Sequence, residues 1–347
     1  MPVGQIEIEP EALLNAASAL EKIVRPDLDQ ATDKFANSYR VDPPGWGIAL
    51  SPLEAMFNMI GDYHVKNLRA GSEAIEAVAN GLRKTVDNYN RAEKANVEMF
   101  LGSPSQDGES WGSGWLDTGV ARSVTTGWLD NPTEVIAVGT QLAFIFAAFA
   151  TADMSPPYLP APIVATLLVA NGFSMIDCAR ALANASAMLT DQVKPEYTTF
   201  TNGALRGWND SSVIEYQQVI AQLGGELDDA QKVIASMSGA LASVAALLTA
   251  FWVAFLSFTG PFFLTILNLT ISAVGPQAIV IEPIIQSLGA LAGASWLTAV
   301  GTVIGLIGAA VTLLTGVVKE ITGVQTFDKQ GDNTPDIRQI KIAWHSA

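Results

Sequence analysis

The chain has 347 residues, 49% of them hydrophobic and only 15% charged, against roughly 25% charged in an ordinary soluble domain. Its net charge of -15 repels nucleic acid and anionic lipid alike, so any membrane affinity must come from apolar area. One cysteine, Cys178, excludes a disulfide framework and a Cys-based metal site, and two histidines, His64 and His345, leave little for a zinc site or a Ser-His-Asp triad.

The opening, "MPVGQIEIEPEALLNAAS", is acidic where a secretory signal is basic and then apolar, so export is expected by another route. Glu7, Glu9 and Glu11 are read as favourable charge beside a helix N-terminus rather than as catalytic carboxylates. Residues 5–10 and 339–344, "QIEIEP" and "QIKIAW", alternate as half-buried strands do, and a pairing of the two ends is one reading of them. A helix is predicted over residues 10–40, with Leu13, Leu14, Ala17, Leu20, Leu28 and Phe35 inward and Pro26 kinking or splitting it.

"RVDPPGWG" ends that helix. Ser51, Pro52 and Glu54 have the spacing of a capping box that starts the next one. From Phe57 through Ile60, His64, Leu68, Gly71, Ile75, Val78, Leu82 and Val86 to Tyr89, seam positions recur every three or four residues. The expectation is a long antiparallel helical hairpin over residues 1–100, with Trp46 in its turn. A lone histidine on such a seam is read as core, which makes the hairpin sensitive to mild acid.

Residues 101–133 are rich in Gly and Ser and repeat "GWLD" at 114–117 and 127–130. They read as a linker whose tryptophans either pack on a helix or sit at a lipid–water boundary. A hydrophobic helical region over residues 134–320 follows, then a polar tail over 321–347. Residues 233–281 hold no ionisable side chain, and Gly260-Pro261 is expected to divide them. Residues 283–318 are also uncharged, with Gly289/Gly293 and Gly301/Gly305 at the spacing that lets helices approach closely.

Inside that region the tryptophan device returns. Gly45-Trp46 precedes Ser51 and Glu54; Gly207-Trp208 precedes Ser212 and Glu215. A second seam runs from Tyr216 through Leu223, Ala230, Met237, Val244 and Phe251 to Phe255, so a second hairpin is expected at about 178–258. A tryptophan laid across a helix-to-helix turn buries a large face, and its N–H is expected to meet a free carbonyl there.

A helix, the turn Gly45-Trp46-Gly47, a second long helix and Tyr89 with Glu93 in "YNRAE" resemble the WxG-type proteins exported by actinobacterial type VII (ESX) secretion. The resemblance covers residues 1–100 and implies that Trp46, Gly47, Tyr89 and Glu93 form an export signal. The chain departs from the pattern in reading Trp-Gly-Ile rather than Trp-any-Gly. Within one hairpin Trp46 and Tyr89 lie roughly 60 Å apart. A helical partner of the same type, or Trp208, must therefore complete the signal.

The sequence thus predicts an all-α, non-enzymatic protein without cofactor. Its expected partners are the secretion machinery or a WxG-type helical partner, and its apolar helices are expected to contact or perforate a membrane in the manner of pore-forming toxins. Two other readings stand beside this one. The apolar block is the core or self-association surface of a secreted binding protein, or the chain is a polytopic membrane protein.

Overall fold

The computed structural model describes residues 7–42, 45–101, 132–206, 208–209, 212–273 and 278–322, without the side chains of some helical residues, Glu93 among them. The chain is all-α in class. α1 (Pro10–Ala19), a π-helical turn (Leu20–Val24) and α2 (Arg25–Ser38) form one continuous rod. α3 (Gly47–Leu101) is its long partner. α4 (Pro132–Met154), a 3-10 turn (Pro156–Tyr158) and α5 (Pro160–Leu167) come next. A second rod then joins α6 (Gly172–Met188), a π turn (Leu189–Val193) and α7 (Lys194–Leu205). α8 (Ser212–Ser272) and α9 (Ala278–Thr322) complete the order. Two-residue strands β1 (Glu7–Ile8) and β2 (Trp208–Asn209) pair antiparallel.

Proline explains the π turns. Pro26 has no N–H to offer Lys22, and its ring crowds that carbonyl. The helix adapts by widening one turn, so that Arg25 N–H donates to Leu20 O, five residues back. Pro195 does the same, with Lys194 N–H donating to Leu189 O. Pro26 therefore neither splits the rod nor ends it.

Partners along each rod run in opposite sequence order. Tyr39 meets Asp62, Arg25 meets Glu76 at 2.7 Å, and Glu21 meets Arg83, so α1–α2 and α3 are antiparallel. In the second pair Ser238 Oγ donates to Ala179 O (2.7 Å), Gln231 to Ser186 Oγ (2.9 Å) and Tyr197 Oη to Ile220 O (2.8 Å). The two pairs pack α1 on α7 and α2 on α6, each π turn also lying on the other rod. Asp27 and Glu196, each just after its proline, face one another across this centre. That is the arrangement of a pseudo-two-fold axis.

The seams read from sequence are the core: Phe57, Ile60, Leu68, Ile75, Val78 and Leu82 are fully buried, and so are Tyr216, Leu223, Ala230, Ile234, Met237 and Leu241. Three expectations need correction. α3 begins at Gly47, so Ser51 is no N-cap. Its hydroxyl donates to Ile48 O (3.0 Å), the carbonyl that Pro52 cannot reach. Gly260-Pro261 does not divide α8, which runs through unbroken. There Gly260 packs beside the Phe144 ring, and Thr259 shares a hydrogen bond with Tyr158 (3.2 Å). Residues 7–8 find their strand partner at 208–209, while 339–344 lie outside the described residues, as does most of the 101–133 linker.

Beyond Trp252, α8 leaves the bundle and joins α4, α5 and α9 in an apolar unit. Gly289 and Gly293 let α9 press onto Ser155 and Pro157, where any Cβ would collide. Gly301 and Gly305 have open space beside them. By length and composition two helical stretches, Pro156–Leu205 and Val213–Ser272, are long and apolar enough to cross a membrane. The first is interrupted at 168–171. Only 44% and 39% of their apolar windows are buried, where a soluble core helix would be mostly covered.

His64 lies fully buried on the α3 seam, with neither ring nitrogen hydrogen-bonded among the described residues. Burial pushes its pKa from 6.5 down to about 3. The unfolded chain takes up this proton near pH 6.5 while the folded chain resists it, so stability is lost as pH falls below that point. Between pH 7 and 5 this one group removes about 2 kcal/mol. Urea titrations at the two pH values should show that His64→Leu loses this part of the pH dependence. Equal pH dependence in both proteins would mean that water reaches the imidazole.

Candidate functional site: two interlocked tryptophan turns

Trp46 joins α2 to α3 and is fully buried, its ring 5.4 Å from that of Phe57. Gly45 and Gly47 flank it at φ 58° and 72°, the left-handed region that side chains resist. Two such residues around one indole reverse the chain within a few bonds and aim the ring inward. The turn is then closed from outside its own hairpin. Asn171 N–H donates to Gly45 O (3.0 Å), and the Val169 carbonyl lies where a Cβ on Gly47 would be. Asn171 also caps α6, its side chain accepting from Ser174 N–H (3.1 Å). The segment leading into the second rod thus seals the turn of the first.

The opposite end repeats the logic. Trp208 is buried 5.2 Å from the Tyr216 ring, and β1, the segment leading into the first rod, pairs Ile8 with Trp208 and Glu7 with Asn209. Gly207 lies outside the described residues. Each tryptophan turn is therefore completed by backbone that introduces the other hairpin.

Neither indole N–H meets an acceptor among the described residues, which corrects the expectation of a bond to a free carbonyl. Gly45 O is already taken by Asn171. The rings contribute buried area and tilted ring contacts rather than a cap. Glu54 is drawn back towards the turn instead: its carboxylate oxygens lie 3.1 and 3.2 Å from where a Gly45 Cβ would stand.

The ion-pair register fixes the remaining positions. Towards the start of α1 the partner residues move towards the end of α3, as Arg25–Glu76 and then Glu21–Arg83 show. Residues 89–93 consequently lie at the end where α1 begins and β1 joins β2. Tyr89 is half-buried there, and Glu93 is one helical turn further on. The fold brings Tyr89 and Glu93 to the end that holds Trp208 and leaves Trp46 at the other. One signal escaped the sequence reading. Leu20-to-Pro26 and Leu189-to-Pro195 share the pattern Leu, Val four later, a basic residue and proline, the mark of the paired π turns.

Substitution at the two glycines should be graded. Gly45→Ala bears mainly the cost of a left-handed alanine, about 1 kcal/mol. Gly47→Ala adds a clash with the Val169 carbonyl and should cost well over twice as much in a denaturant titration. Equal costs would mean that the Val169–Asn171 closure is loose. No family model, curated protein or solved structure matches this chain.

Proposed function

We propose that the protein is a non-enzymatic substrate of type VII (ESX) secretion that is exported as a two-hairpin bundle and delivers its apolar unit into a membrane. The observation that carries the membrane half is where large apolar side chains remain exposed. Among the described residues five lie on the paired hairpins: Leu14, Ile23, Ile48, Met59 and Ile214. Fifteen lie on α4, α5 and its preceding turn, the start of α6, the far half of α8, and α9, with Phe146 at 72% and Leu291 at 69% exposure. At roughly 1 kcal/mol for each half-exposed side chain, their transfer to hydrocarbon is worth about 15 kcal/mol. A patch of that size marks a contact surface. With a net charge of -15 the driving force is apolar area, and acid should favour it by removing carboxylate repulsion.

The export half is supported by the position of residues 89–93, at the same end of the bundle as the Trp208 turn. Trp208 does within one chain what a separate helical partner would otherwise do, so the exported unit needs no second protein to complete the signal.

Two measurements separate the halves. In culture filtrates, Tyr89→Ala and Glu93→Ala should leave most of the protein inside the cell while both variants keep the wild-type melting curve. Equal extracellular amounts would remove the secretion reading. Added to dye-loaded neutral liposomes, the purified chain should release dye, and more at pH 5 than at pH 7. A soluble oligomer that releases nothing at any pH would instead make the apolar unit a self-association surface.

A further inference from the structure

Beyond Trp252 the apolar unit forms a finger whose two long helices match in length. From Trp252 to Ser272 α8 advances about 30 Å, and α9 covers nearly the same distance between Ala278 and Leu297. That is the thickness of a bilayer's hydrocarbon core. Large apolar side chains stay exposed along the whole of it: Val253, Leu264 and Ile271 on α8, and Leu297, Leu291 and Ile284 on α9.

Charge is confined to the two ends. At the base the polar hairpins begin, with Asp42 N–H donating to Ser174 Oγ (3.0 Å) and Asp177 paired with Arg180 at the surface (3.2 Å). At the far end Met154 O accepts from Gln286 (3.5 Å) and Met154 Sδ from Thr270 (3.5 Å). These contacts gather the end of α4, the end of α8 and the start of α9, and Asp153 and Glu282 are exposed there. Between the two ends none of the four helices carries a charged side chain. Hydroxyls on the outer face are satisfied by their own helices: Thr265 donates to Pro261 O (2.9 Å), Ser287 to Pro283 O (2.7 Å) and Ser295 to Leu291 O (2.9 Å). Such bonds need no water. A unit that lies flat on a membrane carries charge along one face of its length. This one carries it at the ends, as a spanning element does.

We propose that the finger spans the bilayer, with the hairpin bundle on the side of entry and Asp153 and Glu282 in water on the far side. This rests on the membrane reading above and adds its depth and direction. A shallower position would leave both carboxylates in hydrocarbon, where charge is strongly disfavoured. A full span carries them past it. Asn268, exposed one helical turn before Ser272, then lies within reach of the far headgroups.

The test uses the full chain with Cys178→Ser, which leaves no other thiol, and one added cysteine at a time: Ser243→Cys beside the base, Leu264→Cys midway or Ser272→Cys at the tip. All three positions are exposed in the chain outside a membrane. After insertion into neutral liposomes at pH 5 and return to pH 7, a maleimide is supplied outside or sealed in the lumen. It is carried on a dextran too large to follow the released dye. Ser272→Cys should react with the lumenal reagent alone, Ser243→Cys with the outer one alone, and Leu264→Cys with neither. Pro283→Cys, at the start of α9, repeats the tip readout should Ser272→Cys misfold. Leu264→Cys still labelled from outside would remove the membrane reading itself. Leu264→Cys protected, with both tip positions labelled from outside or from neither side, would overturn the spanning arrangement and leave the membrane reading standing.

Discussion

The arrangement rests on a backbone-to-backbone contact: Val169–Asn171 against Gly45–Gly47. No side chain can be added to Gly47 without pushing that carbonyl away, and Gly45 O gives its hydrogen bond to Asn171. This contact orients α6 against the end of α2 and the start of α3, and so fixes where the second hairpin begins. Its counterpart, Ile8 against Trp208, ties the first rod to the far end. With both ends tied, the antiparallel packing of α2 on α6 and α1 on α7 has little freedom left. The facing Asp27 and Glu196 mark the centre of the same relation.

The two halves differ in what happens after the bundle. α3 ends its well-packed run near Val86, while α8 continues past Trp252 into helices whose outward side chains are apolar. A seam of Phe251, Phe255, Phe258 and Trp296, with ring centroids between 5.2 and 5.9 Å, joins α8 to α9 there. The ion pairs Arg25–Glu76, Arg40–Asp62 and Lys194–Asp228, by contrast, are surface features of the hairpins, and pairs so exposed contribute under about 1 kcal/mol each. Stability comes from the seams, and specificity from the turns and the Gly289/Gly293 contact.

Helical class and both seams were legible in the sequence because burial at every third or fourth position is a local pattern, and Phe57 to Val86 and Tyr216 to Phe255 kept it without interruption. The turns were legible as glycine-flanked tryptophans, but not what closes them, since Val169 and Asn171 carry no motif. Ser51 and Glu54 looked like a capping box because spacing alone cannot tell a helix start from a proline already inside the first turns. Gly260-Pro261 looked like a break for the same reason: propensity is local, whereas Phe144 and Tyr158 hold the helix from outside. The paired π turns were written in Leu-to-Pro spacings 169 residues apart, legible only once both had been seen.

The unbroken course of α8 has a mechanical meaning. Sixty-one residues make a rod about 90 Å long, clamped over its first two-thirds by α6 and α7 and free of the bundle thereafter. Such a beam transmits torque: tilting its greasy tip cannot be absorbed at Pro261 and must turn the clamped portion as well. Whatever seizes the tip therefore pulls on the grip that Val169–Asn171 keeps on the first turn, and the two ends of the molecule feel one lever.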